Sequence, residues 1–241
     1  MAENINSFFF NTTPRIIYGS NVSEDSSPFS KLIGTSVLLI TDKGITELKL
    51  YENLIINLRE SGIKVNIFDD VEADPSLKTL EKAISFGKET DASGIIGFGG
   101  GSSMDVAKLT ALILGSNENL EEAWGVGNAK GPRLPLILVP TTAGTGSEVT
   151  PVSIITVDGD EKRGVSSQLI LPDFALLDPL LTVGLPASAT AATGIDAMVH
   201  AIEAYASKNA NNNPISSLFA KEALVLLGGS IRQSVLEPKN I

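Results

Sequence analysis

Asp196 and His200 stand four residues apart in the run Gly194-Ile195-Asp196-Ala197-Met198-Val199-His200. On a helix, positions i and i+4 share a face, with Cβ atoms about 5–6 Å apart. A carboxylate oxygen and an imidazole nitrogen placed in this way can both reach one divalent cation at roughly 2.0–2.2 Å. The same spacing also suits a plain Asp–His hydrogen bond, worth about 0.2–0.5 kcal/mol. His200 is the single histidine of the 241 residues and cysteine is absent, so the sequence supplies no further His or Cys to complete a metal shell.

A second constellation lies upstream. The apolar run Gly94–Phe98 leads straight into Gly99-Gly100-Gly101-Ser102-Ser103-Met104-Asp105 and then into a helical pattern. Glycines let a backbone approach a phosphate closely, and a helix N-terminus offers N–H groups and the positive end of a dipole. This is a pyrophosphate-binding arrangement at the end of a parallel strand. It is neither GxGxxG nor a Walker A loop, since no Gly-Lys-Ser/Thr follows. A tight strand–helix turn without a ligand is the alternative.

Two further segments have chemistry to offer. Pro140-Thr141-Thr142-Ala143-Gly144-Thr145-Gly146-Ser147-Glu148 sets small hydroxyl residues between glycines. That suits a ligand lying flat against backbone, or a surface loop with capping Thr and Ser. Asp42, after the apolar run Ser36–Ile40, can accept hydrogen bonds from ribose hydroxyls and repel a 2′-phosphate, or can simply cap the next helix.

These residues need a scaffold. Short β-branched runs at Ser36–Ile40, Lys64–Phe68, Gly94–Phe98 and Leu134–Val139 alternate with helical stretches near Gly44–Ser61, Ser76–Thr90 and Ser102–Leu114. Such alternation predicts a parallel sheet covered by helices on both faces. Phe8–Tyr18 reads as a strand or hairpin and Val152–Val157 as another extended piece. After Pro186 the texture becomes helical, with one helix over Ala187–Ser207 and another over Ile215–Leu227, entered through Asn211-Asn212-Asn213-Pro214. The expected division is an α/β domain over residues 1–185 and the first helices of an all-α domain over 186–241, a short piece for an independent core.

Composition narrows the function. A net charge of −10 argues against a nucleic-acid or anionic-membrane surface, which needs clustered Lys and Arg. Without cysteine, disulfides and thiolate metal sites are excluded. The opening Met1-Ala2-Glu3-Asn4-Ile5-Asn6 lacks the basic and apolar regions of a signal peptide, and apolar runs such as Leu136–Val139 are too short to span a bilayer. A soluble, cytoplasmic protein is expected.

Together the motifs resemble the iron-containing (group III) alcohol dehydrogenase family. Gly99–Lys108 is similar to its GGGSxxDxAK signature, and Pro140–Glu148 to its PTTAGTGSE loop. Leu171–Thr182 resembles the next signature. Gly194–Tyr205 resembles the GxDAxxHAxEAY helix, and Lys208–Ser216 the stretch after it. The resemblance runs from about Phe8 to the end of the chain.

The resemblance implies an N-terminal Rossmann-like parallel-sheet dinucleotide-binding domain followed by an all-helical domain, the dehydroquinate synthase-like fold, with the active site in the cleft between them. It implies an NAD-dependent oxidoreductase that moves a hydride between an alcohol, or its aldehyde or ketone, and the nicotinamide. A metal, Fe2+ or Zn2+, polarises the substrate oxygen. Mapped by motif, Gly100, Gly101, Ser102 and Asp105 contact the pyrophosphate or nicotinamide end, and Thr141, Thr142 and Thr145 line the cofactor. Asp42 falls at the ribose-reading position, favouring NAD over NADP. Asp74 stands where the family has Asn-Pro-Thr, here Asp-Pro-Ser, and Lys162 matches a cofactor-contacting lysine. Asp196 and His200 are the first two of four metal ligands.

The family's other two ligands are histidines further along its helical domain, and Ile241 comes before them. The reading is therefore of a C-terminally incomplete chain, its metal site unfinished, whose activity needs the missing segment. The alternative is a non-catalytic dinucleotide-binding fragment or assembly subunit. A small alcohol or aldehyde substrate and a homodimer are the partners implied, with no nucleic acid and no membrane.

Overall fold

The computed structural model describes residues 7–240. The segment Met1–Asn6, read above for a leader, lies outside the described residues. The strands are β1 (Ile16–Tyr18), β2 (Ser36–Ile40), β3 (Lys64–Phe68), β4 (Gly94–Gly99), β5 (Gly125–Val126), β6 (Leu136–Pro140), β7 (Val152–Thr156), β8 (Lys162–Ser166) and β9 (Phe174–Leu177). The helices are α1 (Lys43–Leu48), α2 (Glu52–Glu60), α3 (Leu77–Glu89), α4 (Gly101–Ser116), α5 (Leu120–Ala123), α6 (Ala187–Ala206) and α7 (Pro214–Leu236).

These elements group into two compact units, where the sequence reading divides the chain once, at 185/186. One unit contains residues 12–141 and 146–181; the other contains 7–11, 142–145 and 182–240.

The first unit is built on a six-stranded sheet in the order β1-β9-β6-β4-β2-β3, with every pairing parallel. Strands buried on both faces must be apolar throughout, and β4 and β6 are buried at every position. Along β2 the side chains alternate between two cores. Leu38 and Ile40 pack with α3 and α4. Val37 and Leu39 pack with α1 and α2. Burying each such side chain stabilises by roughly 1.5–3 kcal/mol. A smaller sheet, β5-β8-β7, sits beside α4, with β7 and β8 forming an antiparallel hairpin.

Several expectations need correction. The helix expected over Gly44–Ser61 is two helices, because Lys49 adopts a left-handed φ of 59° and ends α1. Phe8–Tyr18 is not a hairpin: only Ile16–Tyr18 is a strand, and it pairs in parallel with β9. β8 and β9 were not anticipated; each is four or five residues long and bounded by polar turns that masked its pattern.

In the second unit, α7 starts with a capping box on Asn213 and Pro214 at the first turn. It runs nine residues past the expected Leu227, through Gly228-Gly229. Glycines in a helix interior cost about 1 kcal/mol each. Packing offsets that cost: a Cβ on Gly194 of α6 would lie 2.8 Å from Ile231 Cδ1, so Ile231 fills the notch Gly194 leaves. At 23 residues α7 is also long and apolar enough to cross a membrane by length and composition, which counting unbroken apolar runs had missed.

Candidate functional site

The chain leaves β2 toward β3 at one sheet edge, then returns to place β4 on the other side of β2. Open parallel sheets bind ligands beyond the strand ends at such a reversal. The residues meeting there are Asp42, after β2, and Gly99–Ser102, at the end of β4 and the start of α4. Gly99 has φ +151°, and a Cβ on it would lie 2.7 Å from Ser103 Oγ and 3.3 Å from Asp42 Oδ2. Only glycine fits. One turn inward, a Cβ on Gly97 would meet Ala107 Cβ at 2.7 Å, so α4 rests directly on the backbone of β4.

This loop suits an anion. Gly100, the N-cap of α4, contributes no side-chain acceptor, and the first turn holds no acidic residue. Gly100, Gly101 and Ser102 are partly exposed, whereas α4 is almost entirely buried from Ser103 to Ile113. Backbone N–H groups and the positive helix end therefore meet the solvent only where a phosphate would be cradled. Asp42 Oδ1 accepts from the Ile45 N–H at 3.1 Å as an N-cap, while Oδ2 borders Gly99.

Asp105, one turn further along α4, is hydrogen-bonded on both carboxylate oxygens. Its Oδ1 accepts from Ser147 Oγ at 2.6 Å and its Oδ2 from the Ile154 N–H at 2.9 Å. Lys108, one turn on and fully buried, donates to Ser147 Oγ and to the Val152 carbonyl at 2.7 Å each and lies 3.7 Å from Asp105. Burial, opposed by the Asp105 and Glu148 carboxylates, brings the Lys108 ammonium down to about 8. Burial pushes the Asp105 and Glu148 carboxyls up, against the pull of Lys108. Lys108 and Ser147 were quoted above only as parts of motifs. Their signal was a lysine three residues after an aspartate on an otherwise apolar helix, a charge that cannot be buried alone.

Thr141 is buried, and its N–H donates to the Gly99 carbonyl at 3.0 Å, so the two loops are bonded at their roots. Thr142 and Thr145 belong to the second unit. Within that unit, a Cβ on Gly144 would lie 2.7 Å from Thr193 Cβ, so the hydroxyl loop lies against α6. Thr193, Asp196 and His200 are spaced i, i+3, i+7 and share one face of α6.

Asp196 Oδ1 and His200 Nε2 are 3.6 Å apart. Two ligands of one tetrahedral ion would be roughly 3.4 Å apart, so the pair fits part of a divalent shell. Among the described residues, no group of three or more His, Cys, Asp or Glu side chains could hold an ion.

The structure also joins two residues 88 apart in sequence. Lys162 Nζ donates to Asp74 Oδ1, and to Thr156 Oγ1 at 3.0 Å. The Thr156 N–H donates to the Pro75 carbonyl at 2.8 Å, fastening the β7–β8 hairpin to the loop before α3. Asp74 takes a left-handed φ of 54° there.

With this geometry in view, the chain was compared with known proteins. Residues 13–179 match the family described as iron-containing alcohol dehydrogenase, and residues 190–241 match the C-terminal region of the Fe-containing alcohol dehydrogenase family. Long-chain-alcohol dehydrogenase 1 of Geobacillus thermodenitrificans is 40% identical over 212 residues, covering 86% of this chain and 53% of the relative. A 1,3-propanediol oxidoreductase crystal structure is similar with a TM-score of 0.92 at 34% identity, covering 97% of this chain and 61% of that one. A sulfoacetaldehyde reductase from Bifidobacterium kashiwanohense, solved in complex with NAD+, gives a TM-score of 0.87 at 29% identity, with 97% and 62% covered. The chain thus spans little more than half the length of these relatives. Over that span, fold, glycine loop and helix signatures agree: the chain belongs to the iron-containing alcohol dehydrogenase family.

Proposed function

We propose that this chain carries the dinucleotide-binding part and half of the metal-holding part of an NAD(H)-dependent alcohol oxidoreductase. The observation that carries the reading is the glycine loop at the sheet reversal, with Asp42 beside it. Gly100, Gly101 and Ser102 would hold the pyrophosphate through backbone N–H groups. Asp42 would accept from the ribose hydroxyls and disfavour a 2′-phosphate. Thr141, Thr142 and Thr145 would line the cofactor, and Asp196 and His200 would hold the divalent ion. When bound, the dinucleotide supplies the hydride carrier and the ion supplies Lewis acidity toward the alcohol oxygen. NAD is supported by Asp42 and by the NAD+ complex of the similar reductase. The substrate class is a small alcohol or its aldehyde, as in the names of the relatives.

Asp105, with each oxygen accepting one hydrogen bond from the hairpin side, would also position the loop beside its cofactor-facing role. Metal-assisted turnover requires ligands beyond Asp196 and His200, so activity of this chain depends on a further polypeptide segment. The second reading is a non-catalytic dinucleotide-binding fragment or assembly subunit. A homodimer formed through the exposed β1 edge, where Ile16 and Tyr18 face outward, and a cytoplasmic setting complete the proposal.

Fluorescence titration with NADH tests the binding reading, and no binding at millimolar NADH rejects it. Assays with an alcohol, NAD+ and Fe2+ or Zn2+ then separate the two functions. The dehydrogenase reading expects NADH formation once a polypeptide carrying the rest of a relative's helical domain is added. Binding without turnover under those conditions leaves the subunit reading standing.

A further inference from the structure

We propose that Ser147, held by Lys108 and Asp105, is a positioning residue that fixes the hydroxyl loop for cofactor binding. The inference rests on the dinucleotide reading above and adds residues to which that reading gives no role.

The hydroxyl loop leaves β6 at Thr141 and returns at Gly146, whose left-handed φ of 63° turns the chain into a short 3-10 helix over Ser147–Val149. Its first foot is held by the Thr141 N–H on the Gly99 carbonyl. Its second foot is Ser147, 5% exposed, whose hydroxyl bonds Asp105 and accepts from Lys108. Both partners belong to α4, the helix whose first turn forms the phosphate loop. Between the feet, Gly144 lies against Thr193, while the feet fix where the chain leaves β6 and rejoins α4. One of those feet hangs on a buried charge pair.

The cost of the arrangement shows that it is not incidental. An ammonium and a carboxylate have been taken out of water, and burial opposes the charged form of each. An apolar contact of similar volume would tie α4 to the hairpin with less penalty. What the charged network adds is direction: Lys108 reaches Ser147 Oγ and the Val152 carbonyl together, and Asp105 reaches Ser147 Oγ and the Ile154 N–H together. Both ends of the segment from Ser147 to Ile154 are thereby held in one register on α4.

Ser153 provides the control. It is fully buried and its hydroxyl donates to the Asp105 carbonyl at 2.9 Å, so it packs on the same helix without holding the loop foot. The test compares wild type, Ser147→Ala, Ser147→Thr and Ser153→Ala by NADH fluorescence titration, thermal melting and amide exchange over residues 141–149. Ser147→Ala is expected to weaken NADH binding roughly tenfold, the scale of one hydrogen bond to a charged group, and to speed exchange in the loop. Ser147→Thr, which keeps the hydroxyl, is expected to restore most of the affinity. Ser153→Ala is expected to lower the melting temperature and leave NADH affinity within twofold. Equal NADH affinity in wild type and Ser147→Ala overturns the proposal, as does an equal loss of affinity in Ser153→Ala. Failure of the wild-type chain to bind NADH overturns the dinucleotide reading itself.

Discussion

Lys162 and Asp74 form an ion pair that closes the β7–β8 hairpin onto the loop before α3. The resemblance assigns both residues to the cofactor, yet in the structure they bind each other. Lys162 is 47% exposed and Asp74 81% exposed, so the pair is screened by water and weakly held. An anionic ligand can therefore compete with Asp74 for the lysine.

Asp74→Asn, which restores the amide of the family motif, is expected to tighten NADH binding about two- to fivefold by releasing Lys162, the scale of one exposed pair. The salt dependence of binding is expected to steepen. Titrations at low and high ionic strength check this, and weaker binding by the variant would exclude competition.

Gly99→Ala tests the phosphate loop. The new Cβ meets Ser103 Oγ at 2.7 Å in a backbone conformation that L side chains rarely adopt. A loss of about 1–3 kcal/mol of stability is expected, together with loss of NADH binding. Chemical denaturation and titration measure the two effects separately.

Asp196→Ala tests the metal pair. Both side chains are well exposed, 63% for His200 and 45% for Asp196. Losing an exposed contact is expected to leave the metal-free melting temperature nearly unchanged. Retention of Fe2+ or Zn2+ in equilibrium dialysis is expected to fall. A clear drop in metal-free stability with unchanged retention would instead make the pair a plain helix tie.

Lys108 makes stability depend on alkaline pH. Burial brings its ammonium down to about 8 in the fold, against 10.5 for a free lysine. Between these values the unfolded chain binds more protons, so stability from this group rises with pH. The difference in unfolding free energy between wild type and Lys108→Met is expected to grow from pH 8 to pH 10. The limit is about 1.4 kcal/mol per pH unit. Denaturant titrations across that window measure it, and a flat difference would mean that Lys108 keeps its proton in the fold as it does in the unfolded chain.

Much of this was legible in the residues. The strand Ser36–Ile40 and the run into Gly99–Gly101 announce themselves because buried parallel strands are continuously apolar and their turns need glycine. Asp42 was readable as a cap, and its Oδ1 takes that place on the Ile45 N–H while Oδ2 is left beside Gly99. Lys49 was not legible as a helix end, since nothing in a lysine signals a left-handed φ. The end of α7 was misread because Gly228-Gly229 looks like a stop until Ile231 is seen to pack on Gly194.

Local rules therefore determined the alternation of strands and helices, the placing of the glycine loop, and the i, i+4 pairing of Asp196 with His200. Each depends on neighbours within a few residues, and the backbone repeats carry them. Only the tertiary structure decided where Asp105, Lys108, Ser147, Asp74 and Lys162 point. Asp105 and Lys108 are a local pair, but the bonds that tie them to Ser147, and Lys162 to Asp74, span 39 to 88 residues of sequence. A polar or charged group takes whichever distant partner the fold delivers, and spacing along the chain does not record a partner so far away.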